Sequence, residues 1–132
     1  MNGYLLDTNV LSEPTRKTPE PRVLGWLRSV DPRTLRISVL SLGELQNGIS
    51  LEPGRRKRAV HESWLEDILR NTEDGNILPI DMVVARKWGE MTATARLEGR
   101  TLAIVDALLA ATALVHDLTV VTRNARDFAG TG

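Results

Sequence analysis

The chain has 132 residues, 42% hydrophobic and 26% charged, the balance of one globular domain over 1–132 and too short for two. Seventeen basic residues offset seventeen acidic ones, which excludes nucleic-acid binding through overall charge and leaves only a local site open. The absence of cysteine excludes disulfides, thiolate metal ligands and cysteine nucleophiles.

The elements alternate along the chain. The start, Met1-Asn2-Gly3-Tyr4-Leu5-Leu6-Asp7, lacks the basic segment and long apolar core of a signal peptide. Its Tyr4-Leu5-Leu6 reads as a first buried strand ending in Asp7. Val23, Leu24, Trp26, Leu27 and Val30 form a helical stripe, and an Asp31-Pro32 turn then leads into a second strand at Leu35-Arg36-Ile37-Ser38-Val39. Helical patterns over 40–51 and 55–69 follow; the latter opens on the basic run Arg55-Arg56-Lys57-Arg58, which reads as a solvated helix face. Ile77-Leu78-Pro79-Ile80 is a third strand, pushed toward a sheet edge by Pro79. Val83, Val84, Trp88, Met91 and Ala95 mark a helix stopped by Gly99. Ile104, Leu108, Ala111 and Val115 mark the last, and Leu118-Thr119-Val120-Val121-Thr122 is the fourth strand. Residues 102–115, the most apolar stretch, are broken by Asp106 and fall short of the ~20 residues that span a membrane. The pattern predicts a soluble, cytoplasmic α/β protein built on a parallel sheet with right-handed crossovers and no membrane contact. The three tryptophans lie on helical stripes and read as core, with Trp64 alone on a segment charged enough to face a partner.

In open parallel sheets, sites gather beyond the carboxyl ends of the strands. Four acids fall there: Asp7 after the first strand, Glu44 in the helix after the second, Asp106 early in the Ala-rich helix, and Asp127 after the last strand. Each has an ordinary alternative. Asp7 before Thr8-Asn9 could cap a helix, Glu44 could be a first-turn acid favoured by the helix dipole, and Asp127 could pair with Arg123 or Arg126. Asp106 is harder to dismiss, because an unpaired charge in so apolar a stretch is costly; an arginine partner or a cation shared with other acids would satisfy it. Two carboxylates ~4 Å apart repel by about 4 kcal/mol at an effective dielectric near 20, so a cluster takes up protons or recruits a cation. All-oxygen donors suit Mg²⁺ or Mn²⁺ rather than Zn²⁺.

Four segments then match one family. Leu5-Leu6-Asp7-Thr8-Asn9-Val10-Leu11-Ser12-Glu13 resembles the opening of PIN-domain proteins, particularly the VapC and FitB-like toxins of bacterial type II toxin–antitoxin systems. Ile37-Ser38-Val39-Leu40-Ser41-Leu42-Gly43-Glu44-Leu45 and Val105-Asp106-Ala107-Leu108-Leu109-Ala110-Ala111-Thr112-Ala113 resemble the second and third acidic motifs. The segment from Leu118 to Phe128 resembles the last, so the likeness runs from Tyr4 nearly to the end of the chain.

The resemblance implies a PIN-like three-layer fold with a central parallel sheet of about four to five strands. It also implies a Mg²⁺- or Mn²⁺-dependent ribonuclease whose products carry 5′-phosphate and 3′-hydroxyl ends, acting on a structured RNA such as tRNA or rRNA. Asp7, Glu44 and Asp106 carry over as catalytic acids and metal ligands. The fourth position falls to Asp127 or to Asn124, where many relatives have Asp. Thr8, Asn9, Thr122 and Asn124 are candidates to hold ligands or position water, and turn and cap chemistry is their alternative role. Arg123 and Arg126 share the loop with these groups and are candidate phosphate contacts. A homodimer and a small antitoxin with a DNA-binding domain are the implied partners. Two other functions compete. An aspartyl-phosphate phosphotransferase would need a second Asp where Asn9 stands, and a non-catalytic PIN-like binding module would be expected to have lost acids that this chain retains.

Overall fold

The computed structural model describes residues 3–123. Four short strands, β1 (Tyr4–Leu6), β2 (Leu35–Ser38), β3 (Ile77–Leu78) and β4 (Thr119–Val121), form a parallel sheet in the order β3-β2-β1-β4. The helices are α1 (Thr8–Leu11), α2 (Pro21–Ser29), α3 (Val39–Leu51), α4 (Arg55–Asn71), α5 (Met82–Leu97) and α6 (Ile104–His116). The α/β fold and parallel sheet match expectation, and β3 is an edge strand as Pro79 requires. The strand is shorter than the apolar run, ending at Leu78, because a proline at 79 has no N–H to continue the ladder.

Strand alternation divides the interior into two layers. Leu6, Ile37, Leu35 and Val121 face one side, where Val10 and Leu11 of α1, Leu45 and Ile49 of α3 and Leu65 of α4 complete a core with Trp26 and Trp64 at its margin. Leu5, Leu78 and Val120 face the other, against Val105, Leu109 and Ala113 of α6. Tyr4 closes the first layer edge-on against Trp26, with ring centroids 5.1 Å apart. No helix among the described residues is long and apolar enough to cross a membrane.

Local chemistry fixes the element ends. Ser38 caps α3, its Oγ accepting from the Leu40 N–H at 3.1 Å, and Asp81 caps α5 through the Val84 N–H at 3.0 Å. Helix α5 stops at Gly99, whose φ of +76° allows Arg100 N–H to reach Ala95 O at 2.8 Å and Gly99 N–H to reach Arg96 O at 3.0 Å. At the amino end of the sheet, Gly3 has a φ of +117°, and a Cβ there would stand 2.4 Å from the Thr34 carbonyl oxygen. Only glycine lets β1 enter between β2 and β4 at that point.

The topology orients the site. All four strands run the same way, so β1, β2 and β4 end together at one edge. Helix α6 crosses back over the sheet before β4, which puts its first turn, with Asp106, at that same carboxyl edge.

Candidate active site

Asp7 is the first residue past β1, the central strand between β2 and β4, and its N–H continues the ladder to Val121 O at 2.9 Å. This register holds the carboxylate at the sheet edge with 8% of the residue exposed. Oδ1 accepts from the Thr8 N–H at 2.7 Å, so the helix-cap role weighed from sequence is real. Oδ2 accepts from the Thr122 hydroxyl at 2.7 Å. Among the described residues no lysine, arginine or histidine pairs with it, so a nearly buried anion is held by neutral donors alone. Each carboxylate oxygen keeps a further lone pair for another partner.

Thr8 links a second acid to the first. Its hydroxyl donates to Glu44 Oε1 at 2.5 Å, bringing the exposed Glu44 side chain of α3 beside the first residue of α1. Glu44 is the sixth residue of α3, whose first turn holds no acid, so the expected first-turn dipole role does not apply. One turn earlier, the Ser41 hydroxyl is buried without a hydrogen-bond partner among the described residues, the kind of group at which a water or ion is expected. Asp106 lies in the first turn of α6, half-buried, beside Val105, which packs on the Leu5 layer.

Asn9 and Thr122 tie α1 to the end of β4. Thr122 Oγ1 accepts from Asn9 Nδ2 at 3.4 Å while donating to Asp7, and Asn9 Oδ1 accepts from the Arg123 N–H at 3.2 Å. The Arg123 guanidinium is committed elsewhere, donating from Nη1 to Glu13 Oε2 at 3.0 Å. Asn124, Arg126 and Asp127 lie outside the described residues.

The sequence reading assigned no role to Glu13. This carboxylate is completely buried, in the turn after α1, and accepts from Arg123, from the Arg16 guanidinium at 3.4 Å and from the Glu20 N–H at 2.6 Å. An acid two residues after the apolar Val10-Leu11 pair was the signal available, because its partner Arg123 is 110 residues away.

Asp7, Glu44 and Asp106 thus come from three elements that meet at one edge, and their oxygen donors fit a hard divalent cation. Among the described residues, however, no group of three or more histidine, aspartate or glutamate side chains stands ready to hold a metal ion. The Asp7–Thr8–Glu44 link is the pairing that the structure establishes, and Glu44 is turned toward the Thr8 hydroxyl.

Comparison with known proteins identifies the family and the fold. The PIN domain family model matches residues 4–132. The toxin FitB of Neisseria gonorrhoeae is 39% identical over 94% of this chain and 89% of its own length. The VapC ribonuclease Y4jK of Sinorhizobium fredii is 31% identical over 97% of this chain and 91% of its own length. Among solved structures, FitAcB from Neisseria gonorrhoeae superposes with a TM-score of 0.91 at 37% identity, covering 97% of this chain and 92% of that one. VapBC2 from Rickettsia felis, bound to a DNA fragment from its promoter, superposes at 0.78 with 26% identity, covering 95% and 90%. A strand-end aspartate on a parallel β3-β2-β1-β4 sheet, matched from Tyr4 onward in sequence and in three dimensions, makes this chain a member of the PIN-domain family.

Proposed function

We propose that this chain is the toxin of a type II toxin–antitoxin module, a cytoplasmic Mg²⁺- or Mn²⁺-dependent ribonuclease acting as a single domain over 1–132. The observation that carries this is Asp7, a nearly buried carboxylate whose hydrogen bonds among the described residues come from neutral donors, at the strand end where the resemblance to the PIN family puts its first acid. Asp7 and Asp106 would hold the ion, with Glu44 either joining them or acting on water. A bound divalent ion would supply a more acidic water and neutralise charge on the phosphoryl group. Glu44, exposed and, among the described residues, hydrogen-bonded to Thr8, would orient or deprotonate the water that attacks in line and expels the 3′ oxygen. Thr122 and Thr8 hold the Asp7 carboxylate in place, and Asn9 holds Thr122. Asp127 or Asn124 is proposed for the fourth position and Arg126 as a phosphate contact, while the Arg123 guanidinium is engaged by Glu13.

Partner surfaces are available. A cavity of about 360 Å³ opens between α4 and the amino end of β2, with Leu6, Leu11, Ile37, Trp64 and Ile68 on its apolar wall. It suits an apolar antitoxin segment, and Trp64 then has the partner-facing role that its charged helix allows. Met82, Val83 and Leu114 are exposed on α5 and α6, where a second protomer would cover them. The FitAcB and VapBC2 structures support an antitoxin partner, and the bound promoter fragment supports a DNA-binding domain on it.

One observation favours a non-catalytic binding module instead: the lack of a ready three-acid group among the described residues. A single experiment separates the two. Antitoxin-free protein is incubated with total bacterial RNA and Mg²⁺ or Mn²⁺, beside EDTA and Asp106→Asn controls. Discrete fragments with 5′-phosphate ends, absent from both controls, are expected. Intact RNA from a folded protein that binds no divalent ion would establish the binding module, and 2′,3′-cyclic phosphate ends would exclude this chemistry.

A further inference from the structure

Arg123 presents a difficulty for any cation site at this edge. It follows directly on Thr122, whose hydroxyl is on Asp7. A guanidinium released there would compete with a divalent ion for the same carboxylates, because it is permanently charged and matches a carboxylate with a fork of donors. In the structure it points elsewhere. Its Nη1 is 3.0 Å from Oε2 of the completely buried Glu13, and its N–H is fixed on Asn9 Oδ1 at 3.2 Å. Glu13 is held in turn by the Glu20 N–H at 2.6 Å, so its carboxylate cannot follow the arginine toward the edge.

We infer that Glu13 is a positioning residue that keeps the Arg123 guanidinium off the acidic edge and so leaves Asp7 and its neighbours free to take a divalent cation. The inference rests on the metal-dependent function proposed above. It also explains why a carboxylate is buried in the turn after α1. A neutral residue would pack there at less desolvation cost, and only a fixed negative charge both attracts the arginine and holds it away from the other acids.

The test is direct Mn²⁺ binding, by calorimetry on the purified full chain with no RNA present. Glu13→Gln keeps the shape, removes the charge and releases Arg123, and is expected to weaken Mn²⁺ binding by about tenfold. Adding Arg123→Gln to Glu13→Gln removes the competing cation and is expected to restore wild-type affinity. A purely structural Glu13 would give no such rescue, because the double variant has lost the same ion pair. Should Glu13→Gln not fold, Glu13→Asp takes its place. Its carboxylate is one methylene too short to hold both Arg123 and the Glu20 N–H, and the expected weakening is about threefold, again reversed by Arg123→Gln. Unchanged Mn²⁺ affinity in folded Glu13→Gln or Glu13→Asp, or weakening that Arg123→Gln does not reverse, would overturn the inference and leave the metal-dependent function standing. A wild-type chain that binds no Mn²⁺ would overturn both.

Discussion

Two carboxylates six residues apart are buried for opposite ends. Asp7 closes the central strand and is held by a backbone N–H and a threonine hydroxyl, with no cation of the described chain upon it. Glu13, fully buried in the next turn, is met by two guanidinium groups and a backbone N–H. Taking an anion out of water is costly unless a counter-charge is supplied. At Glu13 the chain supplies its own, and the result ties the turn after α1 to the end of β4. At Asp7 the described residues supply none, which is why a divalent cation is proposed there. On the proposed function, the difference separates an acid that holds the fold together from an acid that takes part in chemistry, although both are nearly inaccessible to solvent.

Substitutions can break that contrast in turn. The largest effect is expected from Asp7→Asn, which should lower RNA cleavage by ~10²- to 10³-fold while moving the thermal midpoint little, as read by fragment assay and calorimetry on the same preparation. Glu13→Ala should do the reverse in kind. It strands two guanidinium groups and the Glu20 N–H, and urea unfolding should show a loss of about 3 kcal/mol. Thr122→Val is smaller. It takes from Asp7 the side-chain donor seen among the described residues and leaves the charge, and divalent-ion affinity should fall by about tenfold.

A third carboxylate gives the smallest effect and sharpens the comparison. Asp31 pairs with Arg33 in full solvent, through Oδ2 and Nη2 at 2.9 Å, and the Arg33 side-chain hydrogen bond holds its carboxyl below the ordinary range. A lowered pKa means that the folded state favours the charged form. Any advantage of the wild type over Asp31→Asn is therefore present at neutral pH and vanishes as pH falls through the lowered value. Chemical denaturation across that range should show a difference close to measurement error, because an exposed pair is screened by water.

Much of this was legible in the residues. The four strands follow apolar runs, the long helices follow their stripes, and Asp106, which interrupts the most apolar stretch, lies in the first turn of α6. Helix α1 left no periodic signal because four residues make barely one turn. The first-turn role weighed for Glu44 fails because α3 begins at Val39, directly on its Ser38 cap, which leaves the acid sixth in the helix. The tie between Glu13 and Arg123 could not be read at all. It depends on β4 lying beside β1, and that adjacency is a property of the folded sheet and not of any local segment.

The central claim is that the carboxyl edge of the sheet is a divalent-cation site centred on Asp7, and anomalous diffraction from crystals grown in Mn²⁺ tests it most directly. An anomalous peak within coordination distance of the Asp7 and Asp106 carboxylates, absent from Asp7→Asn crystals grown in the same way, is the expected result. A well-ordered edge with no peak there, or with a guanidinium seated on Asp7 in place of the ion, would contradict it.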